Sequence, residues 1–257
     1  RGAGAPTAVI AGHEVEVVRK RVKRLSLRVY PPDGRVRLTV PLGVEARELE
    51  RAVAERSAWI EGHQRRIRRW SGEAARYLPG EVHYLRGRPY QLMRPAYAPA
   101  QGAQAPSISA GKGRRGVGVE LAADGLVLHA AVGAGHDEIE RAFAAFYRTE
   151  LKADAAPMMA TWEARLGVQA SALRIRRMAT RWGRCNTRAG RVWLNLELAK
   201  RRPELLECVV VHELVHLLVP DHGPRFKAIM TSALPDWRAR AGELETWPLW
   251  ARLPAGA

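Results

Sequence analysis

Cysteine is scarce in this 257-residue chain, which contains only Cys185 and Cys208. Neither belongs to a CxxC pair, so the sequence can supply neither a zinc ribbon nor a disulfide framework, and so low a count is typical of a reducing compartment. Long apolar runs are also missing, since no stretch approaches the roughly 18 uninterrupted apolar residues of a membrane-spanning helix. The first twenty residues lack the apolar core of a signal peptide, and we therefore expect a cytoplasmic protein.

Acidic residues are too few to balance the basic ones. The chain has 42 Lys and Arg against 26 Asp and Glu, a net charge of +16, and residues 1–94 alone hold 20 basic and 10 acidic side chains. Dense basic runs occur at 19–24 and 65–69. Such charge concentrates polyanions, so a nucleic acid bound through the basic amino-terminal half is one interpretation. A solvated, arginine-rich surface is the other, because arginine greatly outnumbers lysine and no RNA-binding signature or helix-turn-helix spacing is present.

Histidine is also uncommon, yet three of the eight histidines fall within residues 212–222. His212 and His216 form an HExxH pattern, which places both side chains on one face of a helix, about 5–6 Å apart at Cβ. Two imidazoles so placed can bind one Zn²⁺, and Glu213 beside them can act as the general base. With His222 as a third metal ligand, the fourth position of a tetrahedral ion stays open, as in catalytic zinc sites.

The sequence around these histidines favours a buried helix followed by a sharp turn. Pro203 suits the first position of a helix, and the segment PELLECVVVHELVHLLV is apolar nearly all round. Pro220 ends that helix, and a tight turn follows before Pro224 opens a second helix. The chain reversal returns His222 toward the HExxH face.

Alternatives remain for each predicted ligand. His212 and His216 could be core histidines, although each would then need its own buried hydrogen-bond partner. His222 could be an exposed turn residue. A glutamate from a later helix, Glu243 or Glu245, is the competing third ligand.

Hydrophobic patterns elsewhere predict an α+β fold. Period-two alternation indicates strands between residues 14 and 40, including an antiparallel hairpin, and an amphipathic pattern indicates one long helix over 45–70. We predict further short strands at 82–85, 89–93, 117–121 and 126–129. A flexible loop is predicted at 95–116. A helix is predicted at 136–166, with Pro157 kinking or interrupting it. The predicted domains are a basic, β-rich region over residues 1–135 and a metallopeptidase domain over 136–257.

Residues 173–198 predict a small antiparallel sheet packed over the zinc helix. Val192, Leu194, Leu196 and Leu198 alternate on what should be its inner face. An edge of this sheet at the cleft could bind an extended peptide by strand addition. We expect Trp182 and Trp193 to serve in packing, and Asn195 to be an exposed strand residue.

The segment RWGRCNTRAGRVWLNLELAKRRPELLECVVVHELVHLLVPDHGPRF resembles the YgjP-like metallopeptidase family, which is related to the SprT-type zinc proteases. The amino-terminal segment RVKRLSLRVYPPDGRVRLTVPLGV is also similar to that family. The resemblance implies a compact zincin-like domain, zinc bound by His212, His216 and His222, and Glu213 as the catalytic base. Arg184 stands where the family usually has a small serine.

These observations predict a zinc-dependent hydrolase with HExxH chemistry. Its reaction would be hydrolysis of a peptide or protein substrate by Glu213-assisted attack of a zinc-bound water. One alternative is a metal-dependent nucleotide pyrophosphatase of the UTP type, an activity assigned within the family; the sequence has no P-loop and no Mg²⁺-type carboxylate cluster to support it. A second is a nucleic-acid-associated protease that acts on bound proteins.

Overall fold

The computed structural model describes residues 6–30, 33–70, 75–95, 117–131 and 133–247. Within these ranges the chain forms helices and small sheets in the α+β class, as the sequence predicted. Beyond residue 95, the loop predicted at 95–116 lies outside the described ranges. None of the helices in this part of the chain is long and apolar enough to cross a membrane.

Backbone contacts divide the chain into two compact units that meet in sequence between residues 74 and 75. The first unit is a four-stranded sheet in the order β1-β2-β4-β3 with two helices. Its elements are β1 (Thr7–Ile10), β2 (His13–Arg19), β3 (Ser26–Tyr30), β4 (Arg35–Val40), α1 (Ala46–Ala54) and α2 (Ser57–Trp70). Alternate strand residues, among them Val36, Leu38 and Val40, pack with Val53 and Ile60 of the helices in one buried cluster.

The predicted hairpin in this unit is confirmed, because β3 and β4 pair antiparallel. The prediction of a single long helix over 45–70 is wrong in one respect, because a turn at Glu55 and Arg56 divides this segment into α1 and α2. Trp59, which the amphipathic pattern of this segment would place near the core, is 44% exposed. The helical period continues across the turn in the sequence, so the amphipathic pattern could not reveal the break.

The second unit begins with a sheet of the same strand order, β5-β6-β8-β7. Its strands, β5 (Val82–Leu85), β6 (Arg88–Met93), β7 (Gly118–Ala122) and β8 (Gly125–His129), confirm the four short strands predicted there. Both sheets pair their outer hairpins antiparallel and their central strands parallel. The first hairpin of each sheet also has the same kind of turn. Ala11 and Gly12 in one, and Arg86 and Gly87 in the other, all have positive φ, as a two-residue type I′ turn requires.

A 31-residue helix, α3 (His136–Leu166), packs against this second sheet. Its residues Ile139 and Phe143 share one buried cluster with Leu126 and Leu128 of β8. The packing therefore joins β5–β8 to the residues after 136, whereas the sequence predicted a domain boundary at 135. Pro157 lies inside α3 without interrupting it, and Gly167 ends the helix in the left-handed conformation, with φ of 65°.

A three-stranded sheet follows, in the order β10-β11-β9. Its strands are β9 (Ala172–Arg176), β10 (Gly183–Asn186) and β11 (Arg191–Asn195). The prediction of an antiparallel sheet is wrong for one pair, because β9 runs parallel to β11 while β10 is antiparallel to it. The connection after β9 crosses the end of β11 before β10 begins, and this crossing sets the parallel direction.

The remaining elements are a 3-10 helix (Leu196–Lys200), α4 (Pro203–Val215), α5 (Pro224–Ala233) and α6 (Trp237–Thr246). Val192, Leu194, Leu196 and Leu198 are all buried, as predicted, although the last two belong to the 3-10 helix and not to a strand. They pack in the same cluster as Val210 and Val211 of α4. The apolar α4 is thereby held at the centre of this part of the fold.

Candidate metal centre

The site is built on α4, which begins at Pro203 as the sequence predicted. Nine residues of this 13-residue helix are buried, since its apolar side chains point in every direction. His216 is the C-terminal capping residue, and the chain then turns away. This helix fixes His212, Glu213 and His216 on a rigid backbone.

The turn after α4 brings His222 back to the helix. Oδ1 of Asp221 accepts a hydrogen bond of 2.7 Å from the backbone N–H of Gly223, and α5 begins at the next residue. Nε2 of His222 consequently lies 3.1 Å from Nε2 of His212. Potential ligand atoms of His212, His216 and His222 all lie within 4.8 Å of one another.

Neither carboxylate considered as a rival third ligand belongs to the histidine cluster. Glu243 forms an ion pair of 2.6 Å with Arg202, and that pairing lowers the pKa of its carboxyl. Glu245 lines the same cleft as the histidines, but it is not part of the three-residue cluster. In the described ranges, the three histidines are the one group of His, Cys, Asp or Glu with metal-ligand spacing.

The donor set fits a zinc ion. Zn–N bonds of about 2.0–2.1 Å in tetrahedral geometry place the ligand nitrogens roughly 3.4 Å apart, close to the separation seen between His212 and His222. Nδ1 of His216 lies 3.2 Å from the carbonyl oxygen of Val219, to which it can donate, leaving Nε2 free to bind a metal. The ring of Phe226 packs 4.8 to 5.0 Å from all three imidazoles and supports them from one side.

Burial keeps the first histidine in its metal-binding form. Burial, together with the nearby His216 and His222, lowers the pKa of His212 to about 4. Burial also lowers the pKa of His216. Both imidazoles are therefore neutral at pH 7, and neutral imidazole is the form that donates a nitrogen lone pair to a metal.

Glu213 lies beside the triad and is only 5% exposed. Its carboxylate packs against the backbone of Gly183 in β10, where any Cβ would meet Cγ and the carboxyl group. Burial raises the pKa of Glu213 to about 8, and the positive charge of Arg181 opposes that shift. A carboxyl group with a pKa near neutrality can both accept and release a proton at pH 7.

These side chains face a cleft of about 550 Å³. One wall is the segment from Arg181 through Cys185, and the other includes Leu244 and Glu245 from the end of α6. Trp182 belongs to the first wall, and its indole N–H donates a 3.2 Å hydrogen bond to the carbonyl oxygen of Leu244. Trp182 therefore packs, as expected, and also lines the cleft.

Asn195 corrects a sequence-based expectation, because it is fully buried and not exposed. Its amide nitrogen donates 2.8 Å hydrogen bonds to the carbonyl oxygens of Met178 and Arg181. Its side-chain oxygen accepts from the backbone N–H of Glu197. Asn195 thus fixes the segment that leads into β10 and the cleft wall.

Three neighbours of the site were not singled out from the sequence: Arg181, Gly183 and Cys185. The signal for Gly183 was present, since a backbone that packs closely against another side chain needs a residue without Cβ and Gly183 lies inside the WGRC segment quoted above. Arg181 and Cys185 carry no local pattern that distinguishes them from other surface and strand residues.

Three clustered histidines, two from α4 and its C-cap and one from the turn after it, lie with the buried Glu213 beside a cleft, an arrangement compatible with a metallopeptidase site. The family model described as "YgjP-like, metallopeptidase domain" matches residues 23–246. The chain therefore belongs to the YgjP-like metallopeptidase family, as its resemblance indicated. No curated protein matches the chain significantly.

Proposed function

We propose that the protein is a zinc-dependent peptidase in which His212, His216 and His222 hold the metal and Glu213 is the general base. The observation that carries this proposal is the convergence of three imidazoles and one buried carboxyl group on a single cleft. A bound zinc ion would supply a Lewis acid for the scissile carbonyl and lower the pKa of the attacking water toward about 7.

Glu213 supplies the proton transfers. Its carboxylate accepts a proton from the attacking water and delivers it to the leaving nitrogen as the peptide bond breaks. Burial raises the pKa of this carboxyl group above its ordinary value, which makes the carboxylate a stronger base toward the attacking water. Gly183 contributes by letting the β10 backbone approach the carboxylate closely.

The sheet edge supplies a place for the substrate. β10 is the end strand of its sheet, and the segment that contains it lines the cleft. An extended peptide can pair with the free edge of such a strand through backbone hydrogen bonds. That pairing would bring the peptide bond past Gly183 and therefore past Glu213.

Hydrolysis of fluorogenic peptides by the purified protein with added zinc tests the proposal. Glu213→Gln should keep the metal and the fold while hydrolysis falls by about 10²–10⁴-fold, because an amide is no general base. Loss of peptide hydrolysis in this variant, with zinc content unchanged, is the expected pair of results. A wild-type protein that releases pyrophosphate from nucleoside triphosphates and cleaves no peptide would favour the pyrophosphatase alternative.

The cytoplasmic location and the nucleic-acid partner remain predictions from the sequence.

A further inference from the structure

Charge is strongly segregated around the cleft. Residues 164–196 contain eight arginines and no aspartate or glutamate. This stretch forms β9, β10 and β11, together with the cleft wall at Arg181. In the described part of the chain, no ion pair includes Arg174, Arg184 or Arg191.

β10 presents its residues to two different faces. Gly183 contacts Glu213, whereas Arg184 is exposed. Across the sheet, Arg184 lies opposite Trp193, which in turn lies opposite Arg174. The guanidinium of Arg184 is 5.8 Å from the centre of the Trp193 ring. A row of two arginines flanking a tryptophan therefore runs across the outer face and ends at the free edge of β10.

A peptide paired with β10 would extend this row by one strand. Its residue opposite Arg184 would point to the same face, with Cβ about 4.5–5.5 Å from that of Arg184. A carboxylate there can accept the paired N–H groups of the guanidinium, and Trp193 covers one side of that group. An ammonium group at the same position would face the like charge of Arg184 at short range.

We infer that this cleft selects peptides with Asp or Glu at the position beside Arg184, one residue from the position that faces Gly183 and Glu213. The inference rests on the proposed peptidase function and names its substrate class. The preference is local, because Glu245 also lines the cleft and adds a negative charge there. A peptide is favoured over a nucleic acid as the occupant, because the reaction proposed at the histidines acts on a peptide and Arg184 lines that same cleft.

Peptides of one length that carry Glu, Gln or Lys at a single scanned position provide the test. At the one scanned position that lies beside Arg184, kcat/KM should be about fivefold higher for Glu than for Lys at low salt. The difference should shrink as salt screens the charges. Arg184→Gln should remove the preference and Arg184→Glu should reverse it. Arg148→Glu, on an exposed residue of α3, changes the net charge equally and should leave the preference intact.

Binding measured with the inactive Glu213→Gln protein separates this inference from the proposed function. Fluorescence anisotropy should show tighter binding of the Glu peptide than of the Lys peptide, and Arg184→Glu should reverse that order even if no peptide is cleaved. Equal binding of the two peptides, or a preference that survives in Arg184→Glu, overturns the inference. A labelled oligothymidylate that binds more tightly than the Glu peptide, and loses binding in Arg184→Glu, would also overturn it by assigning the face to nucleic acid.

Discussion

Gly183 and Glu213 lie in direct contact, although 30 residues separate them in sequence. A methyl group on Gly183 would lie 2.7 Å from Cγ of Glu213 and would overlap its carboxyl group. The β10 backbone therefore sets the position of the carboxylate, and only glycine permits that approach. The same contact therefore aligns the strand at the cleft edge with the Glu213 carboxylate on α4.

Gly183→Ala should consequently displace Glu213 and lower kcat by roughly 100-fold, since a shift of about 1 Å at a reacting group costs that much. The zinc content should not change, because the three atoms nearest to the added methyl group all belong to Glu213 and none to a histidine. Gly242→Ala in α6 is the matched control, since nothing lies within 4 Å of its added methyl group. Full peptidase activity in Gly183→Ala would show that the contact does not position the base.

We expect one zinc ion per chain, lost in His212→Ala and in His216→Ala. Each substitution removes one of three ligands and leaves a pair that binds zinc weakly. Elemental analysis of the purified variants measures this, with His129→Ala as a control because His129 pairs with Glu120 away from the cluster. A zinc content that is unchanged in both variants would rule out this ligand set.

Asn195→Leu should destabilise the fold by about 3 kcal/mol. The substitution leaves buried backbone groups of Met178 and Glu197 and the part-buried carbonyl of Arg181 without their partner. Each loss at a buried group costs about 1–3 kcal/mol, only partly offset by relaxation. Urea unfolding measures the change in the free energy of unfolding. Asn186→Leu is the control, because that side chain accepts one bond at a partly buried turn and its loss should cost about 1 kcal/mol.

His83 makes stability depend on pH. Burial, and secondarily the charge of Lys200, lowers its pKa from 6.5 to about 4, even though a carboxylate oxygen of Glu81 lies 3.3 Å from Nε2. Between these two pH values the unfolded chain binds more protons at this site than the folded chain. The contribution of His83 is therefore complete above pH 6.5 and is lost as the pH falls toward 4, by up to about 3 kcal/mol.

The difference between the wild type and His83→Gln isolates this contribution. Urea unfolding at pH 7 and at pH 4.5 should show a smaller loss of stability in the variant, since glutamine does not titrate. His129→Gln provides a partly exposed comparison. Parallel pH profiles for the wild type and His83→Gln would contradict the assignment.

The elements that the sequence predicted correctly depend on patterns among residues close together in the chain. The HExxH spacing and the proline at each end specified α4 and its turn, because both depend on residues within a few positions of one another. Alternation located β5 and β8 to within one residue for the same reason.

Features that depend on distant partners were not predictable. The parallel pairing of β9 with β11 is set by a connection that crosses a strand end, and no residue pattern in β9 records its direction. The burial of Asn195 depends on carbonyl groups 14 and 17 residues away. The role of Gly183 depends on its contact with Glu213. Gly183 lies in a strand and Glu213 in a helix, and the sequence pattern of either element carries no information about the other.

Each of the two compact units has a buried cluster of its own, one that includes Leu38 and Val53 and another that includes Phe143 and Val211. Two such clusters lead to two cooperative melting transitions in a calorimetric scan, not one all-or-none step. All three histidines belong to the later unit, and a ligand raises the melting temperature only of the unit that binds it. Added zinc should therefore raise the melting temperature of the unit that holds the histidines, whereas the basic first unit, which holds none of them, should gain no protection against heat.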